Sequence, residues 1–107
     1  MNLQLASVWL EREHVGFADI HQFASQCRDA AQSASRESAA LVLLAERAAA
    51  FSERHEGVAV FTDVVNAFLR EIRQETAALK QASDVSDADF LNALNNFAAR
   101  LAPSLVV

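Results

Sequence analysis

Glycine and proline are almost missing from this chain, with two Gly and one Pro in 107 residues. These residues shape tight turns, so a fold of many short strands joined by hairpins has little material to work with. Tyrosine is absent and β-branched residues come only in short runs, which weakens the case for a sheet further. Cys27 is the only cysteine, so no intramolecular disulfide can form and no thiolate cage can be built around a metal. Basic residues are scarce too. Nine Lys and Arg, eight of them Arg, stand singly against 14 Asp and Glu, giving a net charge of -5. Phosphate backbones are gripped by clustered cations, so nucleic acid is excluded as a partner.

No stretch approaches the roughly 18 apolar residues that a bilayer span needs, and Met1-Asn2-Leu3-Gln4-Leu5 has neither the basic start nor the long apolar run of a secretory leader. The expectation is a cytoplasmic protein of bacterial type with no membrane partner. The sequence also holds no Gly-x-Ser-x-Gly elbow, no Gly-rich phosphate loop and no His-Glu-x-x-His pair. The chain therefore reads as non-enzymatic, with no catalytic residues and no cofactor.

What is present points to helices. Hydrophobic residues make up 52% of the chain, and 22 residues are Ala, the strongest helix former. Apolar side chains recur at alternating spacings of three and four, the rhythm of a helix with one buried face. A short first segment covers about residues 3–14, with Leu3, Leu5, Val8, Trp9 and Leu10, and Gly16 interrupts after it. A second runs from Phe17 to about Ala34 on Phe17, Ile20, Ala24, Cys27, Ala31 and Ala34. The third, about Arg36 to His55, carries Leu41, Leu44, Ala48 and Phe51; Ser35 is placed to cap its start and Gly57 to terminate it.

The fourth segment begins at Val58 or Thr62 and reaches about Gln81, on Phe61, Val65, Phe68, Ile72 and Leu79. A polar break is expected at Ser83-Asp84-Val85-Ser86-Asp87, with Ser86 and Asp89 opening the last helix in the manner of a capping box. That helix uses Phe90, Leu94, Phe97 and Leu101, with Leu91 and Ala98 widening the stripe, and Pro103 should stop it. The apolar tail Ser104-Leu105-Val106-Val107 either docks on the bundle or waits for a partner. The whole reads as one all-α domain over residues 1–107, a small antiparallel bundle of four main helices plus a short N-terminal one.

Three constellations carry candidate chemistry. Glu11-Arg12-Glu13-His14 contains a Glu-x-x-His which, on a continuous helix, would align two metal ligands, with His21 two turns further. A di-iron bundle needs a second such pair and two further Glu; no second Glu-x-x-His exists, and Gly16 interrupts. Glu11, His14 and His21 are thus the candidates for a ligand- or metal-binding alternative, beside the plainer reading as solvated residues at a helix end. Glu71 and Glu75 lie one turn apart, with Arg70 and Arg73 expected to neutralise them. Trp9, Leu5 and Val8 place apolar groups on more than one side of a short helix, which suits either a partner-facing surface or a lid on the chain's own bundle. The leading functional expectation is a protein-interaction module: a small adaptor, a chaperone-like protein, or an acidic inhibitor or immunity-type protein. Its partner would be a protein with a basic face, or a second copy in a homodimer.

Overall fold

The alternating spacing of apolar residues is answered by helix–helix packing throughout. The computed structural model describes the backbone of residues 1–105 and the side chains of residues 1–103. Over that range the elements are α1 (Leu3–Leu10), α2 (Phe17–Ala31), a single 3-10 turn (Ser35–Glu37), α3 (Ser38–Arg54), α4 (Thr62–Val85) and α5 (Asp87–Leu105). No strand occurs among the described residues. The fold is the small antiparallel all-α bundle the sequence implies, four main helices and a short N-terminal one.

The most extensive packing joins α2 to α3. Small residues on the facing sides, Ala24, Ala40, Ala45 and Ala48, are fully or almost fully buried, and their lack of bulk lets the two backbones approach. Large side chains fill what remains. Phe23, Ile20, Leu41, Leu44, Ile72 and Leu79 are sealed from solvent and form one continuous core. Cross-helix ion pairs report the antiparallel register: Arg28 with Glu46 at 3.3 Å, Arg47 with Glu71 at 3.0 Å, and Arg100 with Glu75 at 2.6 Å. Arg70 and Arg73 thus do not neutralise the two glutamates; each glutamate finds an arginine on a neighbouring helix instead.

Helix ends depart from expectation in instructive ways. α1 stops at Leu10, and residues 11–14 turn away, with His14 in left-handed backbone at φ 60°. Asn2 caps its start, the side-chain oxygen accepting from the Leu5 N–H at 2.8 Å, and other elements satisfy further end groups: the Leu3 N–H donates to the Glu37 carboxylate at 2.7 Å, and Arg73 donates to the Leu10 carbonyl at 2.7 Å. Ser35 does not cap α3, whose N-cap position is held by Glu37 without a side-chain capping bond; Ser35 sits at φ 58° at the start of the 3-10 turn. Gly57 has φ 78°, the left-handed conformation expected after α3.

The polar break shrinks to Ser86 alone, because α4 continues through Ser83 and Asp84 to Val85. The Ser83 hydroxyl returns its hydrogen bond to the Lys80 carbonyl at 2.9 Å, so this polar residue sits within the last turns without ending them. Ser86 caps α5, its hydroxyl accepting from the Asp89 N–H at 3.1 Å. Pro103 does not stop α5, which reaches Leu105. The proline forfeits the backbone bond to the carbonyl four residues back, and it stands two residues before Leu105, inside the last turn of α5. The expectation for the tail Ser104-Leu105-Val106-Val107 falls outside the described residues, apart from the backbone of Ser104 and Leu105.

Candidate functional site

The linker after α3 positions the most exposed aromatic residue in the chain. Phe61 is the extended residue preceding α4, at φ -68° and ψ 146°. A side chain there lies outside the helical repeat, so Phe61 does not continue the buried stripe of Val65, Phe68 and Ile72. It stands 78% exposed, with Val58 and Val64 also exposed on either side. The three form an apolar lip at the turn between α3 and α4.

Val64 also lines a groove of about 520 Å³ between α3, α4 and α5. Phe51 and Phe68 stack in its floor with centroids 4.2 Å apart, joined by Phe97. The rim is charged: Arg47, Arg54 and Arg100 reach it from α3 and α5, facing Glu71 and Glu75 on α4. Arg47 lies over the Phe68 ring at 4.8 Å while pairing with Glu71, so it is held from two directions. Arg100 grips Glu75 through two hydrogen bonds at 3.1 and 2.6 Å. Arg54 meets no carboxylate among the described residues. The His55 ring packs against Phe51 at the same end, with centroids 4.6 Å apart and the planes tilted by 51°.

The candidates named from sequence separate. Leu5 and Val8 face solvent at 53% and 56% exposure, while Trp9 turns inward at 8%. The Trp9 ring lies against Phe23 at 4.9 Å, with the Arg12 guanidinium over the ring at 4.6 Å. Its indole Nε1 is buried and finds no acceptor among the described residues. Trp9 is therefore a core residue of this chain, and the outward face of α1 belongs to Leu5 and Val8.

The structure does not bring Glu11, His14 and His21 together. Glu11 is the residue after α1, His14 is exposed in the following turn beside Glu13 at 4.0 Å, and His21 lies on the exposed side of α2. Among the described residues no three His, Cys, Asp or Glu side chains are placed to hold a metal ion. Cys27 is fully buried with its thiol donating to the Met1 thioether at 3.5 Å, and burial pushes its pKa up to about 12. Such a thiol stays protonated and unreactive at neutral pH.

Sequence reasoning missed both the lip and the groove. Phe61 matched the apolar spacing, but Thr62-Asp63 marked the helix start one residue later, and a helix beginning there leaves Phe61 outside. Nothing in a linear pattern announces the groove, because its walls come from three helices and its ion pairs join residues 24 and 25 positions apart. Compared with known protein families, with curated proteins and with solved structures, the chain matches none.

Proposed function

We propose that the chain is a non-enzymatic protein-interaction module whose contact surface is the lip of Val58, Phe61 and Val64. The exposure of Phe61 carries this reading. A phenyl ring held in water at the start of an otherwise well-packed helix gains by association, and apolar residues on both sides extend it into a patch. Aromatic anchors of this kind dominate binding energy at protein interfaces. The chain's acidic surface favours a partner with basic groups around the apolar contact. We place the module in the cytoplasm, where a single unpaired thiol such as Cys27 suits the reducing conditions.

Site-specific photo-crosslinking in cells tests the assignment. A photoreactive residue at position 61 is expected to give a discrete adduct, while the same residue at position 92, exposed on α5, gives none. An adduct of twice the chain mass identifies a homodimer; any other single mass identifies a distinct partner. Equal labelling from both positions, or an adduct only when the photoreactive group sits at Leu5 or Val8, removes the lip from the contact surface.

A further inference from the structure

We infer that the linker between α3 and α4 binds by strand addition: residues 58–61 pair along their backbone with the open edge of a partner's β-sheet, Phe61 fills an apolar pocket beside that edge, and basic side chains of the partner flank it. This rests on the lip being the contact surface, and adds the mode of contact and the chemistry of the partner.

Helix connections are ordinarily made of Gly, Pro, Asn, Asp or Ser. Here Gly57 makes the turn, and Val58-Ala59-Val60-Phe61 follows, in which every residue but Ala59 is a strong strand former. Ala59, Val60 and Phe61 lie in neither helix nor turn. Among the described residues their three N–H groups donate to nothing, and the carbonyls of Val58, Ala59 and Val60 accept nothing. The bonds that do form belong to the flanking helices: the Val58 N–H donates to the His55 carbonyl at 3.3 Å, and the Phe61 carbonyl accepts from Val64 and Val65 at 3.0 and 3.2 Å.

Val60 is half-buried and packs against the core, which fastens the segment to the bundle. In an extended chain residues two apart share a face, so Ala59 and Phe61 lie on the side away from Val60, and both are exposed. Alternate residues also share a hydrogen-bonding edge. The edge of Ala59 and Phe61 keeps both donors free, whereas the edge of Val58 and Val60 has already given one to His55. The segment carries none of the lysine or proline that guards natural sheet edges. Strand addition draws affinity from such backbone groups and specificity from alternate side chains. A groove built for a helix would read anchors three and four residues apart, but Phe61 stands outside the repeat of α4.

Charge selects the partner. Glu53, Glu56 and Asp63 flank the segment, are exposed, and pair with no cation among the described residues. Arg54 is the one Lys or Arg between positions 53 and 63. A sheet edge bordered by arginine or lysine complements this surface. A second copy would set the same three carboxylates against their own kind, where like charges repel. Two short strands alone are also marginal in water, so the partner supplies the remaining strands.

The test is a titration of the full-length, isotope-labelled chain with a synthetic three-stranded antiparallel mini-sheet whose one free edge strand alternates Val with Arg. Saturable binding is expected, with amide exchange slowed at Ala59 and Phe61. The same mini-sheet N-methylated on the amides of its free edge should bind about tenfold or more weakly, the scale of lost backbone hydrogen bonds. Replacing its Arg by Glu should also weaken it about tenfold at low salt. In the chain, Ala59→Pro removes an N–H that nothing else in the molecule uses; it should weaken binding about tenfold with the circular dichroism unchanged.

No saturation up to about 1 mM, no slowed exchange at Ala59 and Phe61, or equal binding of the N-methylated or Glu-bearing sheet would each overturn the inference. Loss of binding in Phe61→Ser but not in Ala59→Pro would overturn strand addition while leaving the lip as the contact surface. Exchange protection that grows with protein concentration without the mini-sheet would assign the segment to a second copy and overturn the inference equally.

Discussion

Replacing Trp9 separates a core residue from a partner-facing one. The side chain is 8% exposed and rests on Phe23 at 4.9 Å, so truncation to Ala opens a cavity at the junction of α1 and α2. Removing a large buried aromatic costs about 3–5 kcal/mol, and loss of the exposed Arg12 contact adds about 0.5 kcal/mol. Against this, the buried indole N–H without an acceptor is itself a penalty of about 1–3 kcal/mol, which the Ala variant no longer carries. The expected net loss is about 2–3 kcal/mol, a large share of the roughly 5–15 kcal/mol that holds a domain together. In a domain of this size that corresponds to a midpoint lowered by about 8–12 °C.

Trp9→Phe keeps most of the ring contact with Phe23 and deletes the orphan donor. It should therefore lie within about 1 kcal/mol of the parent chain. Urea and thermal unfolding followed at 222 nm, with the mass of each native species measured alongside, decide the matter. A Trp9→Ala variant within about 0.5 kcal/mol of the parent, or one that keeps its stability but changes oligomeric state, refutes the placement of Trp9 in the core. A Trp9→Phe variant as damaged as Trp9→Ala refutes the contribution assigned to the indole N–H.

Four further outcomes follow. Glu37→Ala should cost about 1 kcal/mol in urea unfolding, because the Leu3 N–H loses its carboxylate acceptor at the positive end of α1, while Glu37→Gln should lose less. Gly57→Ala should cost about 1 kcal/mol from backbone strain alone, since φ is 78° and an added Cβ would meet nothing within 4 Å; an unchanged midpoint would contradict that conformation. The Cys27 pKa is raised from 9.0 to about 12, so folding favours the neutral thiol; its contribution to stability is complete below pH 9 and is lost as pH rises from 9 towards 12. Alkylation of Cys27 by iodoacetamide at pH 8 should accordingly wait on unfolding, and rapid labelling of the native chain would show the thiol to be accessible. The double substitution Leu5→Gln with Val8→Gln should move stability by no more than about 0.5 kcal/mol, as both side chains face water.

How much of this was legible beforehand depends on the range of the interaction involved. Helix existence is a local property, and the spacing of Ile20, Ala24 and Cys27, or of Phe90, Phe97 and Leu101, reveals it directly. The left-handed Gly57 and the Ser86 cap are equally local and equally readable. Helix ends are less so: Asp84 and Val85 stay helical because nothing before Ser86 opposes it, and Pro103 falls inside the last turn of α5 instead of beyond its end. Long-range partnerships leave no trace in the pattern. The Trp9 ring carries the same letter whether it meets Phe23 or another protein. The sorting of Arg47 to Glu71, Arg100 to Glu75 and Arg73 to the Leu10 carbonyl is fixed only once the helices are side by side.

The tethering of α1 at both ends has a mechanical consequence. A helix of eight residues does not hold its shape alone in water, so its order is lent by whatever fastens it. One fastening, Glu37, immediately precedes α3, and the other, Arg73, lies in the middle of α4. The segment therefore acts as a strut across two longer rods. If α4 slides along α3 by more than a hydrogen bond can stretch, one anchor must let go, and the outward face bearing Leu5 and Val8 loosens with it.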